Sequence, residues 1–170
     1  VSAFMEYSDG QFETGASAYE KRGTAVMVPQ WTADKCIQCN NCAYVCSHAT
    51  IRPFLLSEEE VKAAPSIIKT AELKPKAGKY KYTLSISALD CMGCSECITV
   101  CPTGAIEMVL QEAELPQQPV WDYLVANVSK KEDAGINELT AKGVQFNQPL
   151  LEFSGACAGC AESAYARLAT

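Results

Sequence analysis

The chain has 170 residues, a formal net charge of −6, 48% hydrophobic residues and ten cysteines. This length allows one or two small domains with a packed core, and the acidic balance argues against nucleic acid as a partner. No apolar stretch approaches the roughly 20 residues of a membrane span, so a soluble chain with no membrane contact is expected; many cysteines without a signal-peptide pattern point to a reducing compartment, by default cytoplasmic.

Residues 1–30 carry Gly10, Gly15 and Gly23 among polar and aromatic residues, with one apolar run from Ala25 to Val28 that ends at Pro29. They are expected to form an N-terminal arm with a short strand that covers a core rather than building one. Tyr19 and Trp31 are candidates for keeping water from a metal site, although ordinary packing explains them as well. Cys36, Cys39, Cys42 and Cys46 then follow, and the same spacing returns at Cys91, Cys94, Cys97 and Cys101, with Pro102 after it. Ala49-Thr50-Ile51 after the first run matches Gly104-Ala105-Ile106 after the second, so each unit reads as a loop, a helical turn through its last two cysteines, and a strand. Tyr82, Leu84 and Ile86 alternate with polar residues and predict a further strand. Asn40, Asn41, Gly93 and Ser95 are small enough to let loop amides approach sulfur.

Between the two units, Ser57 to Lys79 reads as an insertion. Ser57 and Glu60 predict a capping box on a helix that ends before Pro65. Lys69, Lys74, Lys76, Lys79 and Lys81, with Pro75 and Gly78, form a basic stretch that is either a docking surface for an acidic electron carrier or a solvated loop, the second being the stronger reading. Residues 111–149 lack cysteine and read as a linker with a helix, Val120 to Val128, whose Trp121, Leu124, Val125 and Val128 share a face; Lys130 to Asp133 and Gly135 form a polar connection. Leu150 to Phe153 predicts a strand, Cys157 and Cys160 a C-x2-C loop, and Ala161 to Leu168 a helix. Taken alone, that C-x2-C is open between a redox dithiol and half of a metal site. His48 is the only histidine, and hydrogen-bonded structure is a stronger reading than a proton-coupled role beside a ligand.

Both four-cysteine runs read C-x2-C-x2-C-x3-C and resemble the runs that hold cubane clusters in bacterial-type ferredoxins. That resemblance implies an α+β fold with pseudo-twofold symmetry and two 4Fe-4S clusters, the fourth cysteine of each run serving the other cluster. One would take Cys36, Cys39, Cys42 and Cys101, the other Cys91, Cys94, Cys97 and Cys46. Structural zinc normally separates its C-x2-C knuckles by a longer loop, and cysteine triplets at this spacing suit metal better than disulfides.

Over nearly its whole length the chain also resembles pyruvate:ferredoxin oxidoreductase, a thiamine-diphosphate enzyme. The matching stretches are Tyr19-Glu20-Lys21-Arg22-Gly23, the first run with Ile51-Arg52-Pro53-Phe54, the second run through Ile106, and Gln145-Phe146 through Glu162. The resemblance implies an arm at 1–30, a two-4Fe-4S ferredoxin-like domain at 31–110, a linker at 111–149, and at 150–170 the start of a further α/β domain that binds thiamine diphosphate. Cys157 and Cys160 would then supply two ligands of a third 4Fe-4S cluster, shared with sequence outside this chain. It implies, for a homodimeric parent holding thiamine diphosphate and Mg, oxidation of pyruvate to acetyl-CoA and CO2 with CoA as co-substrate and ferredoxin or flavodoxin as acceptor; this chain supplies no catalytic residue and acts as the relay. Ser47 replaces the proline that usually follows the fourth cysteine, and Ala161-Glu162-Ser163-Ala164 replaces Gly-Glu-Thr-Pro, which puts local geometry in doubt but removes no ligand. The chain starts at Val1 and stops just beyond the last cysteines, which reads as a piece of something longer. The rival readings are a stand-alone 8Fe ferredoxin-type electron-transfer subunit, with Cys157 and Cys160 a dithiol or idle, and a zinc-stabilised interaction module.

Overall fold

Two copies of one unit form the centre of the molecule, and each lends a strand to the other. The structure is a computed structural model that describes residues 2–11, 14–74 and 79–169. The first unit runs β1 (Met27–Trp31), α1 (Asn41–Val45) and β2 (Ile51–Leu56). After α2 (Glu58–Ala63) and β3 (Ala71–Glu72), the second runs β4 (Lys81–Ile86), α3 (Glu96–Thr99) and β5 (Ile106–Leu110). β1 pairs antiparallel with β5, and β2 pairs antiparallel with β4, whose other edge carries β3. Each sheet therefore joins the strand entering one cysteine run to the strand leaving the other. The register repeats as well: Trp31 faces Ile106, and Ile86 faces Ile51, under the shift that carries Cys36 onto Cys91.

Pro29 and Pro53 lie inside β1 and β2, so the first strand extends past the expected stop at Pro29. Both strands have one unpaired edge, where a missing N–H costs nothing. β4 is central, and all of it except Lys81 is buried. Tyr82, Leu84 and Ile86 face the main core with Trp31, Ile51, Leu55 and the cysteine loops. On the opposite face Thr83 and Ser85 line a small cavity with Val120. The polar half of the expected alternation is thus covered by helices C-terminal to β5 rather than by water.

Those helices are α4 (Gln111–Glu114) and α5 (Gln118–Asn127). In α5 the residues Val120, Trp121 and Leu124 are buried, while Val125 is turned outward, so the apolar face is rotated from the expected one. Leu124 and Val120 pack on Leu56, with Val128 at the margin. Gln118 is buried too, and its Oε1 accepts from Ser87 Oγ and Leu89 N, both at 3.2 Å. The helix is therefore fastened to the turn that enters the second run. α2 forms with the expected capping box: Glu60 N donates to Ser57 Oγ at 3.2 Å, and Ser57 N to Glu60 Oε2 at 2.7 Å. α6 (Ala141–Val144) and α7 (Ala161–Ala169) complete the order. No strand forms at Leu150–Phe153: Phe153 takes φ 53, which breaks an extended run, and its ring lies under Arg52 and Lys21 instead.

Of the expected basic stretch, Pro75, Lys76 and Gly78 lie outside the described residues. The described lysines are engaged: Lys69 with Glu114, Lys79 with Asp133, Lys81 with Glu72, and Lys74 with the Cys36 carbonyl. Tyr19 is 85% exposed and shields nothing, whereas Trp31 belongs to the core. Among the described residues no helix is long and apolar enough to cross a membrane.

If α5 is an integral layer, Leu124→Ala lowers the unfolding free energy by about 2–5 kcal/mol, against about 1 kcal/mol for the cap change Ser57→Ala. Anaerobic denaturant titration of the metal-loaded protein reads both; a Leu124→Ala change within the noise means α5 is only loosely attached.

Candidate metal centres

The two cysteine loops follow one backbone path. Gln38, Asn40 and Ala49 have φ of 60, 61 and 53, and their counterparts Gly93, Ser95 and Gly104 have 70, 67 and 59. These left-handed turns aim amides at sulfur: Gln38 N donates to Cys36 Sγ at 3.3 Å, and Gly93 N to Cys91 Sγ at 3.4 Å. Ala105 N donates to Cys101 Sγ at 3.2 Å. Of the small residues singled out in the sequence, Gly93 makes such a contact, while in the first loop Gln38 does so rather than Asn40 or Asn41.

A non-glycine residue at positive φ costs about 1–2 kcal/mol, and the first loop offsets that cost with side chains. Gln38 is fully buried; its Nε2 donates to Glu72 O at 2.7 Å, and its Oε1 accepts from Lys74 N at 2.8 Å. Asn40 donates to Lys142 O at 2.9 Å and accepts from Tyr82 Oη at 2.8 Å. In the second loop a side chain at Gly93 would be strained at φ 70 and crowded, because a Cβ there would stand 3.1 Å from Met27 O and 3.2 Å from Ala25 Cβ.

The loops bring the sulfurs together across the halves. Cys36, Cys39, Cys42 and Cys101 line one cavity with Tyr82, Leu84 and Ile106. Cys46, from the first run, is close enough to raise the pKa of Cys91 and Cys97 in the second. None of the ten cysteines is paired in a disulfide. Among the described residues no three His, Cys, Asp or Glu side chains are arranged to hold a single metal ion.

Burial dominates the thiol chemistry. It pushes Cys91 up to about 11 and Cys97 up to about 12, each helped by neighbouring thiolates, and lifts Cys42 further. Burial acts the same way on Cys101, but the amides of Thr103, Ala105 and Ile106 outweigh it and hold that thiol below its ordinary value. At neutral pH the buried thiols keep their protons until a cationic centre displaces them, so metal loading releases protons. The donor set therefore suits a group with enough positive charge to hold several buried thiolates in a largely apolar setting.

Cys157 and Cys160 are not among those eight, but they lie beside them. A Cβ on Gly159 would stand 3.3 Å from Cys94 Cβ. Cys160 precedes α7, and the amide of Ser163, with its hydroxyl and the amide of Glu162, lowers its pKa. His48 is buried; its Nε2 lies 3.1 Å from Cys157 O and its Nδ1 3.3 Å from Ser154 O, which is the structural role expected of it. Arg52, also buried, donates to Ala49 O at 2.9 Å, pairs with Glu152 and lies over the Trp121 and Phe153 rings. Arg167 of α7 donates to the carbonyls of Ala43, Tyr44 and Cys46. Gln38, Tyr82, Arg52 and Arg167 were not assigned these tasks from the sequence, which placed Tyr82 in a strand and Arg52 in a family-matching stretch and gave no signal for the other two.

Residues 35–105 match the 4Fe-4S dicluster domain family, so the chain carries a 4Fe-4S dicluster ferredoxin domain in a mixed helix and sheet fold. Over its full length it is 48% identical to a segment of the pyruvate-flavodoxin oxidoreductase of Klebsiella pneumoniae and 44% identical to one of the pyruvate:ferredoxin oxidoreductase of Moorella thermoacetica. Over 95% of its length it is 44% identical to a segment of the NADP-dependent pyruvate dehydrogenase of Cryptosporidium parvum. The chain spans 14% of the length of the first two and 8% of the third. The resemblance to pyruvate:ferredoxin oxidoreductase is borne out.

Gly93→Val tests the second loop. The left-handed backbone alone costs about 1–2 kcal/mol, and the Met27 carbonyl adds a clash. Anaerobic unfolding is expected to shift by at least that much, with loss of bound iron; wild-type stability and metal content would show that the loop relaxes freely.

Proposed function

We propose that this chain is the electron-relay segment of a pyruvate:ferredoxin (flavodoxin) oxidoreductase, an enzyme that oxidises pyruvate to acetyl-CoA and CO2 and passes electrons to ferredoxin or flavodoxin. One observation carries the reading: sulfurs from opposite halves meet, Cys101 with the first triplet and Cys46 with the second. On this reading Cys36, Cys39, Cys42 and Cys101 hold one 4Fe-4S cluster, and Cys91, Cys94, Cys97 and Cys46 hold another. Cys157 and Cys160 are two ligands of a third, completed by sequence outside this chain. Bound 4Fe-4S clusters supply one-electron acceptance and release, which divides the two electrons of oxidative decarboxylation into single transfers.

The protein's own residues do the rest. Tyr82, Leu84 and Ile106 wall the first site against water, and the amides of Gln38, Gly93 and Ala105 donate to the sulfurs, which favours extra negative charge there. His48 and Arg52 hold residues 152–157 against the second site. The close approach of Gly159 to Cys94 supports a serial order, from the C-x2-C motif to the site of Cys46 and on to that of Cys101.

The proposed partition is an arm at 1–30, the two-cluster domain at 31–110 with an insertion at 57–79, a connecting segment at 111–149 that packs on the domain as it crosses, and at 150–170 the start of a thiamine-diphosphate domain. The parent would hold thiamine diphosphate and Mg, use CoA, be a homodimer and work in the cytoplasm. A stand-alone ferredoxin-type subunit is not favoured, because the relatives aligned with the chain are much longer pyruvate oxidoreductases.

Anaerobic metal analysis of the chain should find about eight iron and eight sulfide per molecule, and zinc in their place overturns the reading. Cys46→Ser should disturb the cluster of the second triplet and spare that of the first, as read by EPR; loss from the first triplet instead defeats the crossing. The isolated chain should form no acetyl-CoA from pyruvate.

A further inference from the structure

The pseudo-twofold repeat is broken where it touches a proposed ligand. α1 and α3 are equivalent helices, yet their C-terminal ends are closed by different means. At α3 the backbone suffices: Val100 stays helical, its N–H donates to the Glu96 and Ile98 carbonyls, and Cys101 N donates to Ile98 O at 3.2 Å. At α1 the equivalent Val45 is helical too, but a side chain from far along the sequence takes the carbonyls of Ala43, the counterpart of Ile98, and of Cys46, the counterpart of Cys101. Arg167 Nη1 donates to Ala43 O at 2.6 Å, to Tyr44 O at 3.4 Å and to Cys46 O, while Nη2 donates to Gln145 Oε1 at 2.9 Å.

All four of these acceptors are neutral oxygens, so none of them cancels the charge. Arg52, the other buried arginine on this side, is paired with Glu152. Arg167 is half-buried, and an arginine keeps its proton in such a setting. Desolvation and Arg52 disfavour its charge, whereas Cys46 favours it. On the opposite side Lys74 Nζ donates to Cys36 O at 3.0 Å, but Lys74 is exposed and its charge is screened by water and salt.

We infer that Arg167 makes the two cluster sites unequal: as a positioning residue seated on the Cys46 carbonyl, it raises the reduction potential of the site containing Cys46 relative to the site containing Cys101. The inference rests on the two-cluster reading above. A reduced cluster carries one more negative charge than an oxidised one, and a fixed cation in a partly desolvated position stabilises the more negative state. The site beside the C-x2-C motif is thereby the better electron acceptor of the two. Arg167 lies in α7, the helix that Cys160 immediately precedes, so the group that sets this inequality sits on the helix next to the half-site.

The test uses the anaerobically purified full-length oxidoreductase carrying Arg167→Gln, Arg167→Lys or Gln145→Glu, with EPR-monitored reductive titration of each cluster signal. Cys94→Ser marks the signal of the Cys46 site. Arg167→Gln should move that site's reduction equilibrium about tenfold toward the oxidised form, which is 59 mV for one electron, and leave the other site in place. Arg167→Lys should keep most of the wild-type value. Gln145→Glu sets a carboxylate against Nη2 without removing the guanidinium, and should reproduce the shift. A wild-type midpoint in Gln145→Glu, or equal shifts at both sites, overturns the inference; should Arg167→Gln shed iron, Gln145→Glu decides alone. Should Cys94→Ser alter no cluster signal of the full-length oxidoreductase, the underlying two-cluster reading fails instead.

Discussion

The exchange of strands between the two halves is the constraint on which everything else depends. Because β1 pairs with β5 and β2 with β4, neither half can form its sheet without the other. The same exchange carries the end of each cysteine run toward the opposite triplet, so one topological fact accounts for both the sheets and the sulfur groups. It also explains how a chain with so many buried thiols reaches its fold. The core contains Cys42, Cys46 and Cys97 alongside Tyr82, Leu84 and Ile86, so these sulfurs pack as part of the apolar core. Metal loading then adds cross-links at positions the sheet has already brought near one another.

Around that centre the burial of polar groups is managed by pairing rather than avoided. Gln38, Asn40, Arg52, Ser87 and Gln118 are all buried, and each has described partners. Left unpaired, each would cost about 1–3 kcal/mol, so the pairings fix loop positions more strictly than apolar contacts can. Gln38 reaches β3 and the residue after the next one, and Gln118 reaches the turn before the second run. The segments that flank the cysteine repeat therefore act as its scaffold, which is why the residues between β5 and α6 form a layer of the fold rather than a loose connection.

What was legible in the sequence was local or repetitive. The two cysteine runs, the strand through Tyr82, Leu84 and Ile86, the Ser57–Glu60 capping box and the last helix each have a signature within a few residues, and each is present. The strand expected at Leu150–Phe153 failed because an apolar run does not reveal whether a neighbouring strand exists to pair with it, and Phe153 instead turns back to stack on cations. The face of α5 was misjudged because Val120 and Val125 suit a helical stripe equally well; packing on Leu56 chose between them. Arg167, Gln38 and Asn40 were opaque for another reason. Their partners lie tens of residues away, and a long-range bond between a side chain and a carbonyl leaves no periodicity to read.

The attachment of the last twenty residues shows why charge rather than apolar surface joins them to the repeat. Leu150, Tyr165 and Leu168 are mostly exposed, so this segment does not adhere through a hydrophobic face. It is held by Arg52 on Glu152, His48 on two carbonyls and Arg167 on three. Such contacts are directional, and they fail steeply with misplacement, whereas apolar contacts tolerate sliding. On the proposed reading, a half-site that must stand at a set distance from a neighbouring redox centre needs the first kind of restraint. The cost is the partial desolvation of a guanidinium beside the first run, and that same charge is what distinguishes one sulfur group from its twin.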